Sequence, residues 1–266
     1  MVRGRILRAI APAAPLLVCT LFSSSAYASE ACPQIFFRGL APAVIERSLA
    51  NDATKICYSS FSVLASGISK TGLWSAEHLT RLSVESARRL PGRHGRWHAD
   101  VHLSFEQGAA PSDYTHSGFD RGHLSPSGDM PTPDSDAETF TMANVAPQLP
   151  HLNRGSWERA ESLTRDIAVY VGEIWVVTGV IFMGDDLRQI GGRVLVPTAF
   201  YKALYMPGRG AAAYLATNEE EPRWRTVSIA EIKKISGIDP FPGLPEAVKV
   251  RLTDLPMPGQ RRRRVQ

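Results

Sequence analysis

Cysteine is scarce in this chain, and its three copies, Cys19, Cys32 and Cys57, form no C-x-x-C pair. That spacing excludes a CxxC-type metal or redox site. Histidine offers no better metal frame. His94, His98 and His102 stand four apart, but they follow Pro91-Gly92 and straddle Gly95, which argues against the helix needed to align them. His78, His116, His123 and His151 form no such pair. Long apolar runs are missing after the first 28 residues, so no later segment reads as a membrane span. No period of 20 to 50 residues marks a repeat protein. Charge of one sign is also in short supply. The net +4 of the whole chain falls to +1 without Arg3, Arg5 and Arg8, and to −3 when Arg261–Arg264 are also set aside. Overall charge therefore says little about nucleic acid, and any phosphate-binding surface has to be local.

What is present begins with the layout of an export signal. Arg3, Arg5 and Arg8 precede a mostly apolar stretch from Ala9 to Phe22, and Ala26-Tyr27-Ala28 is a small-x-small cleavage site. This layout predicts a signal peptide over residues 1–28, cut near Ala28, and a periplasmic or secreted protein. An uncleaved anchor is the alternative, although Ser23–Ser25 break the run. A lipoprotein reading of Cys19 fails because Val18 precedes it. Residues 29–250 suit one domain with its own core, followed by a basic tail over 251–266. Cys32 and Cys57 then remain as an even pair in an oxidising compartment, which predicts that they join. Such a bridge closes a loop of about 25 residues, worth roughly 3 kcal/mol. Two free buried thiols are the other outcome.

The pattern of elements points to α+β with an antiparallel sheet core. An N-terminal arm with a short helix near Pro42–Leu49 is expected first. Strands follow at Tyr58–Ala65 and Leu73–Leu79, then a basic loop from Arg88 to Arg96. Ser125–Glu138 reads as loop, punctuated by Pro126, Pro131 and Pro133. A short helix and strand are expected at Thr139–Val145. Asn153–Tyr170 keeps helical spacing through Trp157, Ala160, Leu163, Ile167 and Ala168. Ile174–Phe182 is almost continuously apolar and predicts a central strand. Val194–Met206 and Ala211–Thr217 read as a hairpin turning at Pro207–Gly210. Ser228-Ile-Ala-Glu231 is a capping box opening a last helix that ends at Gly237.

Two stretches carry chemistry. The first is Asp120-Arg121-Gly122-His123, and the second runs from Asn144 to Asn153 and on to Glu161. An acid, a guanidinium and an imidazole within four residues make poor core, because each needs a buried partner. A neutral imidazole takes a proton from water at physiological pH. Arg121 fits a phosphate, or it pairs locally with Asp120. Asn153 is placed to cap a helix, yet an amide oxygen is also a hard ligand for Mg²⁺, which keeps most of its waters. Glu161 lies two turns further on, roughly 80° around the helix, within reach of a metal-bound water, with Glu158 the weaker candidate at roughly 140°.

Asp120-Arg-Gly-His123 together with Asn144-x-x-Pro-Gln148-x-x-x-x-Asn153-x-Gly-x-Trp157-x-x-x-Glu161 resembles the DNA/RNA non-specific endonuclease family of the ββα-metal class. Cys57–Val63, Leu73–Leu79 and Phe241–Glu246 resemble that family's flanking strands and C-terminal end, so the likeness covers most of residues 55–250. The resemblance implies an embedded ββα-metal finger from about Gly118 to Ala168. It implies His123 as general base, Asn153 as direct ligand of Mg²⁺ (with Mn²⁺ as a substitute), and Glu161 holding the metal's water shell. Asn144 and Arg121 would support the site and the phosphate. DNA and RNA would be the partners, cut without sequence preference. The family also carries an upstream arginine near an aromatic residue. Trp97 marks that place, with Arg96 adjacent and Arg93 four residues before, and Arg96 is the preferred choice. Lys70 is a further departure. Two rival readings share these residues: a catalytically dead secreted binding protein, and an exported DNA-degrading toxin. The basic tail is either extra phosphate attraction or a solvated end.

Overall fold

Strand-forming runs of β-branched and aromatic residues alternate here with short capped helices. The computed structural model describes Met1 and residues 32–92 and 95–258. The expected signal peptide, Arg93, His94 and the tail arginines 261–264 lie outside the described residues. In chain order the elements are β1 (Ala43–Val44), β2 (Ala53–Cys57), β3 (Phe61–Ser66), β4 (Thr71–Thr80), α1 (Arg81–Ala87), β5 (Asp120–His123), α2 (Pro133–Glu138), β6 (Val145–Gln148), α3 (Glu158–Val171) and β7 (Glu173–Ile181). They continue as β8 (Gln189–Ile190), β9 (Val194–Leu195), β10 (Ala199–Met206), β11 (Gly210–Thr217), β12 (Trp224–Val227), α4 (Ile229–Ser236), β13 (Ile238–Asp239) and α5 (Glu246–Val250).

The fold is α+β. Seven antiparallel strands form one sheet in the order β12-β11-β10-β7-β4-β3-β2, with β7 in the middle, as its apolar run requires. Strand alternation divides the sheet's residues between two covered faces. One face presents Leu79, Ile174, Val176, Leu204, Met206 and Tyr214 to Val84 of α1 and to Ala160 and Ala168 of α3. The other packs Trp74, Val177, Tyr201 and Ala203 with Ile229 and Ile232 of α4 and with Phe36 of the N-terminal arm. Each such large apolar side chain contributes roughly 1.5–3 kcal/mol on full burial. The arm is tied to the end of β2 by a Cys32–Cys57 disulfide. No described helix is long and apolar enough to cross a membrane.

Several expectations about local structure need correction. No α-helix forms near Pro42–Leu49. Ala43–Val44 instead pairs with Ile238–Asp239, and a short 3₁₀ turn follows at Arg47–Ala50. Helix α1 is too short to show a period and was hidden behind the strand. Thr80 caps it by accepting from Ser83 N. Helix α2 lies inside the expected loop Ser125–Glu138. There Pro133 starts the helix rather than breaking it, because the first turn needs no proline N–H. At Ser228 half of the capping box forms: Ser228 Oγ accepts from Glu231 N at 3.2 Å, but the Glu231 carboxylate pairs with Arg225 at 2.6 Å.

Candidate active site

β5 and β6 pair antiparallel beside the large sheet, with Asp120 opposite Gln148 and His123 opposite Val145. Gly122 is needed for this close pairing. A β-carbon there would stand 2.4 Å from Gln148 Oε1. The pleat sends Arg121 and His123 to one side and Asp120 to the other. The structure agrees. Trp97 lies 4.8 Å from the His123 ring and 5.7 Å from the Arg121 guanidinium, measured between ring centroids and to the guanidinium carbon. Phe140 meets His123 edge-on at 5.3 Å. Arg121 donates to Pro111 O at 2.7 Å and covers Tyr114. The local Asp120–Arg121 ion pair therefore does not form.

Asp120 is taken up elsewhere. It accepts from Arg154 Nε at 2.7 Å and from Asn153 Nδ2 at 2.9 Å. Partial burial pushes its carboxyl up, but these two donors more than offset that and hold it below the usual carboxylate range. The capping role weighed for Asn153 is excluded. A π-helical segment, Leu152–Trp157, precedes α3, so Asn153 lies inside the helical segment with its side chain on Asp120. Such π turns recur at functional sites. With Nδ2 held by Asp120, Oδ1 is the atom left for the cleft.

His123, Arg121, Asn153, Glu158 and Glu161 all line one cleft of about 700 Å³. Glu161 is partly buried there. Burial is the main force on its carboxyl, Lys202 partly opposes it, Asp129 adds to it, and the result is pushed up to about 7. Asn144 has a different place. It is fully buried, its Oδ1 accepts from Ser125 N at 3.0 Å, and its Nδ2 donates to Ser125 O and Thr139 O at 2.8 and 3.1 Å. It clamps the chain just after His123 and does not line the cleft. Asn144→Ala is expected to lower stability by about 1–3 kcal/mol, since it strands two backbone groups at Ser125. A thermal melt checks it, and unchanged stability would refute the clamp. Arg96 is exposed beside Trp97, and the cleft lining among the described residues includes Trp97 but not Arg96.

Sequence reasoning missed the Arg154 partner of Asp120, the Arg165–Asp129 pair at 2.7 Å and the aromatic walls Trp97 and Phe140 of His123. It also missed two buried ionisable residues beneath α3, Glu77 and Lys202. A visible signal existed only for Lys202, which interrupts an otherwise apolar strand.

A two-stranded hairpin followed by a helix, with an imidazole on the hairpin and amide and carboxylate oxygens on the helix, places the fold in the ββα nuclease class. The chain belongs to the DNA/RNA non-specific endonuclease family, whose model matches residues 42–247. This is a family of nucleic-acid-hydrolysing enzymes. Nuclease C1 of Cunninghamella echinulata var. echinulata is 30% identical over 188 residues, covering 63% of this chain and 75% of that protein. The Serratia marcescens nuclease is 27% identical over 200 residues, covering 69% and 73%. Human mitochondrial endonuclease G is 32% identical over 150 residues, covering 49% of this chain and 50% of that one. A solved structure of an EndoG/EndoGI complex shares the fold, with a TM-score of 0.66 at 20% identity over 79% of this chain and 96% of that chain.

Proposed function

We propose that this protein is an exported, metal-dependent endonuclease that hydrolyses DNA and RNA without reading sequence. The observation that carries this is the convergence of His123, Asn153 and Glu161 on one cleft within a ββα unit. His123 takes the proton from a water in line with the scissile phosphorus. Trp97 and Phe140 hold the imidazole in place for that transfer. Arg121 offers a fixed cation to the phosphate from the same side. Recognition of backbone rather than bases makes both nucleic acids substrates.

The donor set suits Mg²⁺. Asn153 presents an amide oxygen whose nitrogen is already committed, and Glu161 adds a carboxyl in the same cleft. Among the described residues no cluster of three His, Cys, Asp or Glu that could hold a metal occurs, and a cation that keeps several of its own waters needs none. When bound, the metal supplies Lewis-acid stabilisation of charge at the scissile phosphate.

Digestion of supercoiled plasmid and of RNA by purified residues 29–266, with Mg²⁺ or with EDTA, tests the function. Cutting of both that EDTA abolishes supports it. No cutting by folded, metal-supplied protein, together with a gel shift, would favour a binding protein instead.

The Glu161 carboxyl gives a pH signature. Its unfolded value is near 4.5 and its folded value about 7. Stability contributed by the neutral acid is present below pH 4.5 and is lost as pH rises through 7. A bound cation reverses this by favouring the ionised form. The Mg²⁺-induced rise in melting temperature is therefore expected to be larger at pH 8 than at pH 5.5. Differential scanning fluorimetry at the two pH values checks it, and an equal rise at both would refute the assignment.

A further inference from the structure

Beneath α3 the large sheet carries a lysine where an aliphatic residue would pack at less expense. Lys202 is fully buried in β10, whose neighbours Phe200, Ala203 and Leu204 are all core. Its Nζ donates to Thr178 Oγ1 at 2.6 Å, from the residue directly across in β7. Among the described residues it makes no ion pair within 4 Å. A buried ammonium held by one neutral hydroxyl carries a desolvation penalty that packing does not return.

Its surroundings show where the charge is directed. The ammonium lies 5.7 Å from the Trp157 ring centroid. Trp157, Glu161 and Arg165 follow one another at four-residue spacing along one helix stripe. The cation thus sits under the stripe that carries Glu161, and it is the chief group opposing the burial of that carboxyl. The other charged or titratable groups facing Glu161 are Glu158 and Arg165 on α3 and Asp129 on the loop before α2. Arg165 is committed to Asp129 at 2.7 Å. Glu77 of β4 faces both Glu161 and Lys202 in the same buried space, with neither carboxyl oxygen hydrogen-bonded among the described residues.

The geometry points to Lys202 as a positioning residue for Glu161: a cation built into the sheet that keeps the helix carboxylate in place and ready to hold a hydrated divalent metal. This rests on the role proposed above for Glu161. Lys202 itself touches neither substrate nor metal.

The test is calorimetric titration of Mg²⁺ alone into the full chain at pH 8, with a thermal melt of each variant. Glu161→Gln is expected to weaken Mg²⁺ binding by about 10–100-fold, in the range for groups that act around a metal. Lys202→Met, close in volume, is expected to weaken it by about tenfold. Thr178→Val, which only releases the ammonium from its anchor, is expected to move binding the same way by less. If Lys202→Met does not fold, Thr178→Val decides. A purely structural lysine would lower the melting temperature and leave the Mg²⁺ affinity of the folded protein unchanged. Weakening by Glu161→Gln but not by the Lys202 and Thr178 variants overturns the inference and leaves the proposed function standing. No weakening by Glu161→Gln overturns the role of Glu161 and the inference with it.

Discussion

His123→Ala is expected to cleave plasmid DNA and RNA about 10²–10⁴-fold more slowly than the parent protein. The size is that of losing a positioned general base. No other described imidazole lines the cleft, so none among the described residues substitutes. The variant should still fold. Residue 123 pairs with Val145 through its backbone, and Gly122, the position that needs to be glycine, is untouched. What the substitution opens is a space walled by Trp97 and Phe140. That space suits free imidazole, so added imidazole is expected to restore part of the rate. Initial rates over a range of imidazole, alongside a melt and Mg²⁺ titration of the variant, separate chemistry from folding. A variant that keeps more than a tenth of parental activity would remove His123 from the role of base.

How far the sequence reached can be judged at particular residues. The large sheet was legible because its strands are strongly apolar or alternating, and the central place of Ile174–Ile181 follows from its burial on both faces. Helices α1 and α2 were not, because seven and six residues are too few to show a period. Within the site, the residue types of Asp120–His123 announced chemistry, and the structure brings His123, Arg121, Asn153 and Glu161 to one cleft. The pairing of those groups was hidden. Alternation already argued against Arg121 as the partner of Asp120, but not for the partners it has, Asn153 and Arg154, 33 and 34 residues on. Asn144 and Asn153 look alike in sequence. Only their surroundings separate a buried clamp from an amide that lines the cleft. Long-range partners of this kind have no local signature.

The second large effect is expected at Asn153. Asn153→Ala removes the amide oxygen proposed to bind the metal and should lower Mg²⁺-dependent cleavage by about 100-fold or more, at or beyond the upper end seen for residues around metal sites. High Mg²⁺ is expected to restore part of the rate, because Glu161 and the cleft remain. Asn153→Asp is the sharper comparison. A carboxylate is the stronger ligand for Mg²⁺ in isolation, so a simple ligand count favours it. The structure argues the reverse. Asn153 Nδ2 donates to Asp120 at 2.9 Å, and a carboxylate there loses that donor and sets two anions against each other. Arg154 stays with Asp120 at 2.7 Å and is largely exposed, so it does not neutralise both. Asn153→Asp is therefore expected to be no more active than Asn153→Ala at neutral pH. Rates measured across Mg²⁺ concentration for both variants check this. Full activity of Asn153→Ala at low Mg²⁺ would remove Asn153 from the metal site, and near-parental activity of Asn153→Asp would show that the Asp120 hydrogen bond does not orient the ligand.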